Sequence, residues 1–354
     1  MIEKVTLKDI AKDSGLSIST VSRALTRTGK ISKENERKVF ESAQRLNYPI
    51  AVLNTPIDLR NSINIALVTK HYTGEFFASL FEGFDISSLG TKARINLISV
   101  SHTSDTPKQV ASEITKAHFD AAVIFLPDYK AEDYKELINH IPEDYPVVSI
   151  APIANPVMDT VTFDNYRGGH LVASHFEDKG FTRLGIIEGP KNKSEAMLRK
   201  NGYIDHIRAS DRLSLVWKFT GSYSLEDGQD AYEAFKKAPV KPEAIFSSND
   251  GMAIGFIQKA IRDGVIIPDD VAIVGYDDLP TCELYTPTIS SVCTPYDLLG
   301  KKTLELIFDR LREKTTPGYT GYTSLVPVSL KIRESSTNLV NVFSKYYDKV
   351  PENL

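Results

Sequence analysis

The spacing of apolar residues changes once along the chain, near residue 63. Before that point they recur three and four positions apart, which is the spacing of one face of a helix. The apolar positions are Leu7, Ile10 and Ala11, then Val21, Ala24 and Leu25, and finally Val39, Ala43 and Leu46. The pattern predicts two short helices between Thr6 and Leu25 and a third from Lys33 to Leu46.

The first two predicted helices are separated by a very short turn. Thr6, followed three residues later by Asp9, has the pattern of a capping box at the start of the first helix. Gly15 has no Cβ and suits a sharp turn, and Ser17 can cap the second helix. The sequence therefore predicts a helix-turn-helix unit, although glycine-linked amphipathic helices also occur in ordinary cores.

From Ile63 onward, short β-branched apolar runs alternate with amphipathic segments. This alternation predicts parallel sheets with helices on both faces. The runs form two series, and the chain after Cys293 is predicted to return to the first series. The predicted fold class is a small all-α head followed by an α/β body of two doubly wound lobes. Such sheets bind ligands at the carboxyl ends of their strands, which would face a cleft between the lobes.

These changes also give predicted domain boundaries. The head is 1–48, the linker 49–62, the two-lobed core 63–335 and the C-terminal tail 336–354. The first lobe is predicted to comprise about 63–160 and 293–322, and the second about 161–292 and 323–335. The tail lacks the leucine heptads that would assemble four chains, so we expect a dimer.

Composition narrows the class of protein. Apolar residues make up 42% of the 354 residues and charged residues 25%, which is typical of a globular protein. The start of the chain lacks the apolar core of a signal peptide, and no apolar run is long enough to span a membrane, so a cytoplasmic location is predicted. The two cysteines, Cys282 and Cys293, are too few for a disulfide framework and are interpreted as buried thiols.

Charge is unevenly distributed. Residues 1–60 contain 11 Lys or Arg against 7 Asp or Glu, a net charge of +4, whereas the remainder carries 31 against 39, a net charge of −8. A basic head on an acidic body favours a polyanionic partner for the head alone, and the natural candidate is DNA.

The outer face of the second predicted helix carries small hydroxyls around one guanidinium. Hydroxyls and a helix N-terminus can hold phosphates, and an arginine can make a two-pronged contact with guanine in the major groove. The candidate DNA-binding residues are Thr6, Leu7, Ser17, Ile18, Ser19, Thr20, Ser22 and Arg23. Arg37, Lys38 and Arg45 on the third helix could contact phosphates or simply form a solvated face.

Several segments resemble the LacI/GalR-type transcriptional repressor family. TLKDIAKDSGLSISTVSRAL, which begins at Thr6, is similar to the family's N-terminal motif. VTFDNYRGGHLVASHF, IIEGPKNKSEAMLRKNGY and FSSNDGMAIGFIQKAIRDGVIIPDDVAIVGYDD are similar to segments of its body, which resembles periplasmic sugar-binding proteins. The resemblance implies a homodimeric repressor that binds an operator in double-stranded DNA and responds to a small effector in the cleft.

The linker departs from the family pattern. In the family it becomes a short hinge helix that inserts a leucine into the minor groove, but the usual Ala-Arg-x-Leu run is missing here. Pro56 would also interrupt a helix unless it lies in the first turn. Leu53 or Leu59 is the predicted wedge, and an extended tether is the alternative.

The resemblance also implies an effector pocket. Arg199, Asn249 and Asp277 would offer a donor fork, an amide and a carboxylate, which suit the hydroxyls of a sugar. Tyr223 would stack on the ligand, and Phe163, Phe76 and Phe77 would supply apolar walls. In the alternative interpretation Asn249 and Asp277 are helix caps and the phenylalanines belong to the core.

The identity of the effector stays open. Ala151 stands where relatives often have an aspartate, which permits a bulkier or less hydroxylated ligand. The sequence most resembles repressors of galactose and β-galactoside utilisation, which implies a sugar such as galactose or a β-galactoside. A repressor that needs a purine corepressor is the alternative.

Other classes of protein fit the sequence less well. A transport binding protein would share the lobes but would have no DNA-binding head. No nucleotide-binding glycine motif, nucleophile elbow or metal-ligand spacing is present, so no cofactor, no metal site and no enzymatic activity are expected.

Overall fold

Three short helices open the chain, and an alternation of strands and helices follows. The computed structural model describes residues 5–26, 31–46, 48, 62–70, 74–100, 106–116, 119–312 and 321–337. The helices are α1 (Leu7–Ser14), α2 (Ile18–Thr26), α3 (Lys33–Arg45), α4 (Glu75–Ser88), α5 (Pro107–Lys116), α6 (Ala131–Asn139), α7 (Asn165–Asp178), α8 (Ser194–Ala209), α9 (Leu225–Lys236), α10 (Asp250–Arg262) and α11 (Tyr296–Arg312).

The strands alternate with these helices from Ile63 onward. They are β1 (Ile63–Thr69), β2 (Ala93–Ser99), β3 (Ala121–Phe125), β4 (Val147–Ser149), β5 (Asp159–Phe163), β6 (Arg183–Glu188), β7 (Ser214–Thr220), β8 (Ala244–Ser247), β9 (Ala272–Asp277), β10 (Ser290–Cys293), β11 (Thr323–Val326) and β12 (Ser329–Lys331). Short 3-10 turns occupy Pro280–Glu283 and Glu334–Ser336.

The head has its own core, built from all three helices. Its buried side chains are Ile10, Ala11, Val21, Ala24, Leu25, Val39, Phe40 and Ala43. Leu7, Leu16, Ile31, Leu46 and Tyr48 pack around them. The predicted helical faces are therefore confirmed, and the second helix presents its other face to solvent.

Two six-stranded sheets form the body. Their strand orders are β11-β5-β4-β3-β1-β2 and β12-β10-β9-β8-β6-β7. All pairings are parallel except that between β10 and β12. Alternate residues of β1 enter different cores: Ile65 and Leu67 pack on one face, and Ala66 and Val68 on the other. Both faces are thus covered, and the predicted doubly wound α/β class is confirmed.

The chain crosses between the lobes three times, and two predicted boundaries between the lobes were wrong. Residues 161–163 were assigned to the second lobe, but β5 pairs with β4 and β11 in the first sheet. Residues from about 323 to 335 were also assigned to the second lobe, and LVPVSLKIRES at 325–335 has a strand-like sequence. Instead Pro327 separates β11 from β12, which pairs with β10 in the second sheet. A proline has no amide hydrogen to donate to a sheet, so the strand ends there.

Helices α7 and α8 pack very closely because glycines line their contact. A Cβ on Gly169 would overlap the carbonyl of Arg199, and a Cβ on Gly202 would overlap the carbonyl of Tyr166. Each helix therefore has a glycine that faces a backbone carbonyl of the other helix. This close approach fixes the position of Arg199, which α8 directs towards the cleft.

Candidate functional site

The turn of the head is fixed by the residues that the sequence indicated. The Asp9 carboxylate accepts hydrogen bonds from the Thr6 amide and hydroxyl at 2.8 and 2.7 Å, and these bonds lower the pKa of Asp9. Gly15 has a φ of 70°, in the left-handed region, and ends α1. The Ser17 hydroxyl accepts from the Thr20 amide at 3.1 Å and caps α2.

The start of α2 presents the predicted hydroxyl-rich surface. Ser17, Ile18, Ser19 and Arg23 are exposed, and Thr20 and Ser22 are half-buried. The Arg23 Nε donates to the Ser19 carbonyl at 3.2 Å, which orients the guanidinium along the helix surface. Of the two candidates on α1, Thr6 is exposed, and Leu7 packs against the core of the head.

Three basic residues of α3 are engaged by acidic neighbours. Arg37 pairs with Glu41 at 2.9 Å and Lys38 with Glu34 at 2.8 Å on the exposed helix face. Arg45 binds Asp13 at 2.7 Å and so ties α3 to α1. The helix therefore supports the first two helices, and Arg23 stands apart from these ion pairs.

The predicted hinge residues, Leu53 and Leu59, lie outside the described residues. The same holds for the tail from residue 338 onward. No helix in the described part of the chain is long and apolar enough to cross a membrane. Within the same ranges, no three metal-ligating side chains converge on one point.

A cavity of about 460 Å³ lies between the lobes, at the carboxyl ends of the strands. It is lined by all seven predicted effector residues, Phe76, Phe77, Phe163, Arg199, Tyr223, Asn249 and Asp277. The apolar side chains come mainly from the first lobe, and the polar ones mainly from the second. The cavity is therefore amphiphilic, with an apolar wall facing a polar floor.

Arg199 is the centre of the polar floor. Its Nε donates to Asn165 Oδ1 at 3.0 Å, its Nη1 to the Ser248 carbonyl at 2.7 Å and its Nη2 to Asp277 Oδ1 at 3.0 Å. The guanidinium also lies over the Tyr276 ring, 3.7 Å from the centroid. Three different elements of the second lobe thus converge on one buried side chain.

Burial and charge act against each other in this cluster. Burial raises the pKa of Asp277 to about 6, while Arg199 opposes that rise, so the carboxylate is still largely ionised at neutral pH. Burial disfavours the charge on Arg199, but the acids around it, Asp277 first, outweigh that cost and raise its pKa. The pair is therefore a buried salt bridge.

Asp277 also has an unusual backbone. Its φ is 107° and that of Asp278 is 54°, so two consecutive non-glycine residues lie outside the ordinary regions. Asp278 is held on the far side by Arg333 Nη1 and Lys331 Nζ, each at 2.8 Å. These ion pairs clamp the end of β9 and keep the Asp277 carboxylate directed at Arg199.

Asn249 serves both of the roles considered for it. It lines the cavity, and its Oδ1 accepts from the Met252 amide at 3.0 Å as the cap of α10. Its Nδ2 donates to the Tyr223 carbonyl at 2.9 Å. The side-chain amide of Asn249 therefore mainly holds the loop of Tyr223 in place. Asp277, by contrast, caps no helix in the described part of the chain.

The aromatic wall combines core and cavity roles as well. Phe76 meets Phe77 edge to face, with ring centroids 5.2 Å apart, and lies 5.5 Å from the ring of Phe125. Phe76 also packs against the core of the first lobe. On the opposite side the Tyr223 ring lies against Gly189, where a Cβ would overlap it.

Asn165 and Glu195 are among the polar residues of the cavity that the sequence analysis missed. Asn165, at the start of α7, accepts from Arg199 and donates to the Phe163 carbonyl at 3.0 Å. Glu195 lies one turn before Arg199 on α8, is 9% exposed and lines the cavity. Residues four apart share a helix face, so the position of Arg199 was a usable signal for Glu195.

Two contacts join the lobes across the cavity. Glu75, at the start of α4, accepts from the amide and the hydroxyl of Thr281. Asp128 of the first lobe lies 3.6 Å from the Nζ of Lys193 in the second. Each contact pairs a carboxylate of the first lobe with a donor of the second, so the lobes are in contact on both sides of the cleft.

Two family models match this chain, one on each unit. Residues 6–49 match the model described as bacterial regulatory proteins, lacI family. Residues 173–336 match the model of a periplasmic binding protein-like domain. The head and the body therefore each match a different family model, in agreement with their separate folds and separate candidate sites.

Curated relatives match both units together. The HTH-type transcriptional repressor PurR of Mannheimia succiniciproducens is 25% identical over 312 residues, which are 87% of this chain and 92% of that protein. The ribose operon repressor of Escherichia coli is 26% identical over 313 residues, 88% of this chain and 94% of that protein.

Solved structures have the same fold. The lac repressor dimer bound to operator and the anti-inducer ONPF aligns with a TM-score of 0.69 at 20% identity, over 94% of this chain and 99% of that one. The regulator CelR in complex with cellobiose gives a TM-score of 0.66 at 22% identity, over 94% of this chain and 100% of that one.

The architecture is that of a DNA-binding regulator, in which a helix-turn-helix head precedes a periplasmic-binding-protein-like body. Residues 6–49 therefore form a LacI-family helix-turn-helix domain, and residues 173–336 belong to a periplasmic-binding-protein-like domain.

Proposed function

We propose that this protein is a repressor of a carbohydrate-utilisation operon. It binds a palindromic operator as a homodimer in the cytoplasm and is released when a small sugar occupies the cavity between its lobes. The observation that carries this proposal is the buried Arg199–Asp277 pair, at 3.0 Å, at the floor of an aromatic-walled cavity in a chain with a helix-turn-helix head.

The surface of α2 supports the operator as partner. Arg23 is exposed and is the long donor on this face, which suits a two-pronged contact with guanine. The hydroxyls of Ser17 and Ser19 and the free amides of the helix N-terminus suit phosphate oxygens. Two such heads, one helical turn of DNA apart, would read a site with two-fold symmetry.

The cavity suits a hydroxylated ligand that is not an anion. Its volume of about 460 Å³ lies within the range of small-molecule sites. Arg199 is already neutralised by Asp277 and Lys193 by Asp128, so neither cation is free to select a phosphate or a carboxylate. Carboxylate, amide and guanidinium groups around aromatic faces are the partners that sugar hydroxyls and ring hydrogens use.

The relatives support a sugar as the effector. One is named a ribose operon repressor, and two structural neighbours are complexes with cellobiose and ONPG. We retain a galactose-like sugar or a β-galactoside as the proposed ligand.

Release follows from closure of the cleft. A sugar that contacts both the floor and the aromatic wall favours the closed arrangement, in which Glu75 meets Thr281 and Asp128 meets Lys193. Closure would rotate the first lobes of the dimer against each other and separate the heads. A coupling free energy of about 1 to 3 kcal/mol would lower operator affinity roughly 5- to 150-fold.

A nucleobase acting as corepressor is the second candidate. Its planar ring would fit beside Phe76, Phe77 and Phe125, and several relatives are named PurR. The two candidates predict effects of opposite sign on operator binding, because a corepressor strengthens binding and an inducer weakens it.

The experiment is a titration of operator binding by fluorescence anisotropy with the full chain. Galactose, β-galactosides and then purine bases are added at constant salt, since salt alone changes affinity for DNA. Weakened binding with a sugar supports the proposal, whereas strengthened binding with a purine base supports the second candidate. A chain that responds to neither class contradicts both.

A further inference from the structure

Glu195 is a buried carboxyl that the protein leaves partly unsatisfied. The side chain is 9% exposed and lines the cavity, and its Oε2 has no hydrogen-bond partner among the described residues. An unpaired buried carboxylate oxygen loses its hydration without compensation, which is costly. A donor from a bound ligand would restore that interaction.

The cations near Glu195 do not supply this partner. Burial raises the pKa of Glu195, and Arg199 and Lys193 only partly oppose that rise. Arg199 is bonded to Asp277 at 3.0 Å, and Lys193 lies 3.6 Å from Asp128. Lys70, at the end of β1, lies over the ring of Tyr129, 5.2 Å from its centroid. The cavity wall contains four carboxyl groups and three cations, so the acidic groups outnumber the cations by one.

A second unsatisfied group lines the same cavity. The Tyr223 hydroxyl is buried there and has no hydrogen-bond partner among the described residues. Burial raises the pKa of Tyr223, Arg199 opposes that rise and Glu195 adds to it. A hydroxyl oxygen accepts hydrogen bonds as a carboxylate does. The cavity therefore contains two acceptor oxygens without a partner among the described residues.

We propose that the effector is an amino sugar, and that Glu195 is the residue that selects its protonated amino group over a hydroxyl. This inference rests on the proposed function, since it names the class of sugar that the same cavity takes. An ammonium group would donate to Glu195 Oε2 and Tyr223 Oη and would stabilise the ionised form of Glu195. The sugar hydroxyls would remain on Asp277, and the ring on the aromatic wall.

The test compares matched ligands on the full chain. Calorimetric titration would use galactose, galactosamine and N-acetylgalactosamine, and the corresponding glucose series, at pH 7. A charge-assisted hydrogen bond in a buried site predicts that the free amine binds at least about tenfold more tightly than the hydroxyl or acetylated form. This comparison of ligands needs only the wild-type protein and no variant.

Variants then assign the preference to a residue. Glu195→Gln keeps the shape but removes the charge, and it should reduce the preference for the amine to within about threefold. Glu226→Gln is the matched control, because Glu226 is also the second residue of its helix, α9, but is exposed to solvent. The control should retain the full preference.

The outcomes separate the two proposals. Equal or tighter binding of the neutral sugars, together with operator release, would overturn the role of Glu195 and leave the sugar-responsive repressor standing. An amine preference that survives Glu195→Gln would also overturn the assignment. If no sugar of either series binds or changes operator affinity, the proposed function fails and this inference fails with it.

Discussion

The Nη2 nitrogen of Arg199 lies 3.0 Å from Oδ1 of Asp277, and each residue is only 6% exposed. The contact joins the middle of α8 to the end of β9, so it links the two elements that form the cavity floor. Because both charges are buried, removal of either partner leaves the other uncompensated.

We predict that Asp277→Asn abolishes the ligand response and destabilises the body. Loss of the carboxylate leaves the buried guanidinium without its counter-charge, which costs about 3 kcal/mol in the free energy of unfolding. Urea denaturation and ligand titration measure the two effects. Asp309→Asn removes an exposed partner of Arg312, at 3.7 Å, and should change stability by less than about 0.5 kcal/mol. If the two variants had equal effects, Asp277 would not be a central residue of the site.

We predict that Arg23→Ala weakens specific operator binding and retains nonspecific binding. Loss of a two-pronged contact with one guanine costs about 1–3 kcal/mol and relaxes the preference at that base pair. Competition between operator and random duplex at several salt concentrations measures the change. Arg37→Ala is the control, because Arg37 pairs with Glu41 on α3. A wild-type specificity ratio in Arg23→Ala would disprove the assignment of the reading helix.

We predict that Gly169→Ala destabilises the second lobe, although alanine ordinarily stabilises a helix by about 1 kcal/mol relative to glycine. The added Cβ would overlap the Arg199 carbonyl, so α7 and α8 must separate at a cost of about 1–3 kcal/mol. Thermal melting gives the sign directly. Arg208→Ala, on the exposed face of α8, should leave the melting temperature nearly unchanged. A more stable Gly169→Ala would contradict the close helix contact.

We predict that Asp250→Asn changes how stability depends on pH. Burial, and the neighbouring Asp277 carboxylate, raise the pKa of Asp250 to about 7. Between about pH 4 and 7 the folded chain keeps a proton that the unfolded chain has lost, so this residue makes stability fall as pH rises through that window. The variant should lack that component of the unfolding free energy, which is on the order of 4 kcal/mol.

The readout for Asp250 is the difference between the wild-type and variant curves of unfolding free energy against pH. That difference is needed because His175, whose pKa burial lowers to about 4, contributes the opposite slope from about pH 4 to 6.5. His175 is unchanged in both proteins, so its contribution cancels. Parallel curves would show that Asp250 does not titrate in this range.

Local chemistry explains which parts of the fold were predictable from the sequence. The turn of the head depends on Thr6, Asp9, Gly15 and Ser17, which act within a few residues of one another. Membership of a lobe depends on distant strand partners. The sequence at 161–163 would suit a buried strand in either sheet. Only the pairing of β5 with β4 and β11 places this strand in the first lobe.

The site was predictable in part for a similar reason. Arg199 and Asp277 were identified through resemblance, and their mutual bond required the folded chain. Glu195 was missed because an acidic residue in the first turn of a helix is favourable there without any ligand. Its burial, which distinguishes it from the exposed Glu226, becomes visible only when the other lobe closes over it.

The central claim is that the head reads a two-fold symmetric site and the cavity of the body controls that reading. Selection of binding sites by the full chain from a random duplex library, repeated with saturating sugar, tests it most directly. The account predicts recovery of a palindromic sequence without sugar and roughly 5- to 150-fold weaker binding to it with sugar. Recovered sequences without two-fold symmetry, or an affinity that no sugar changes, would contradict it.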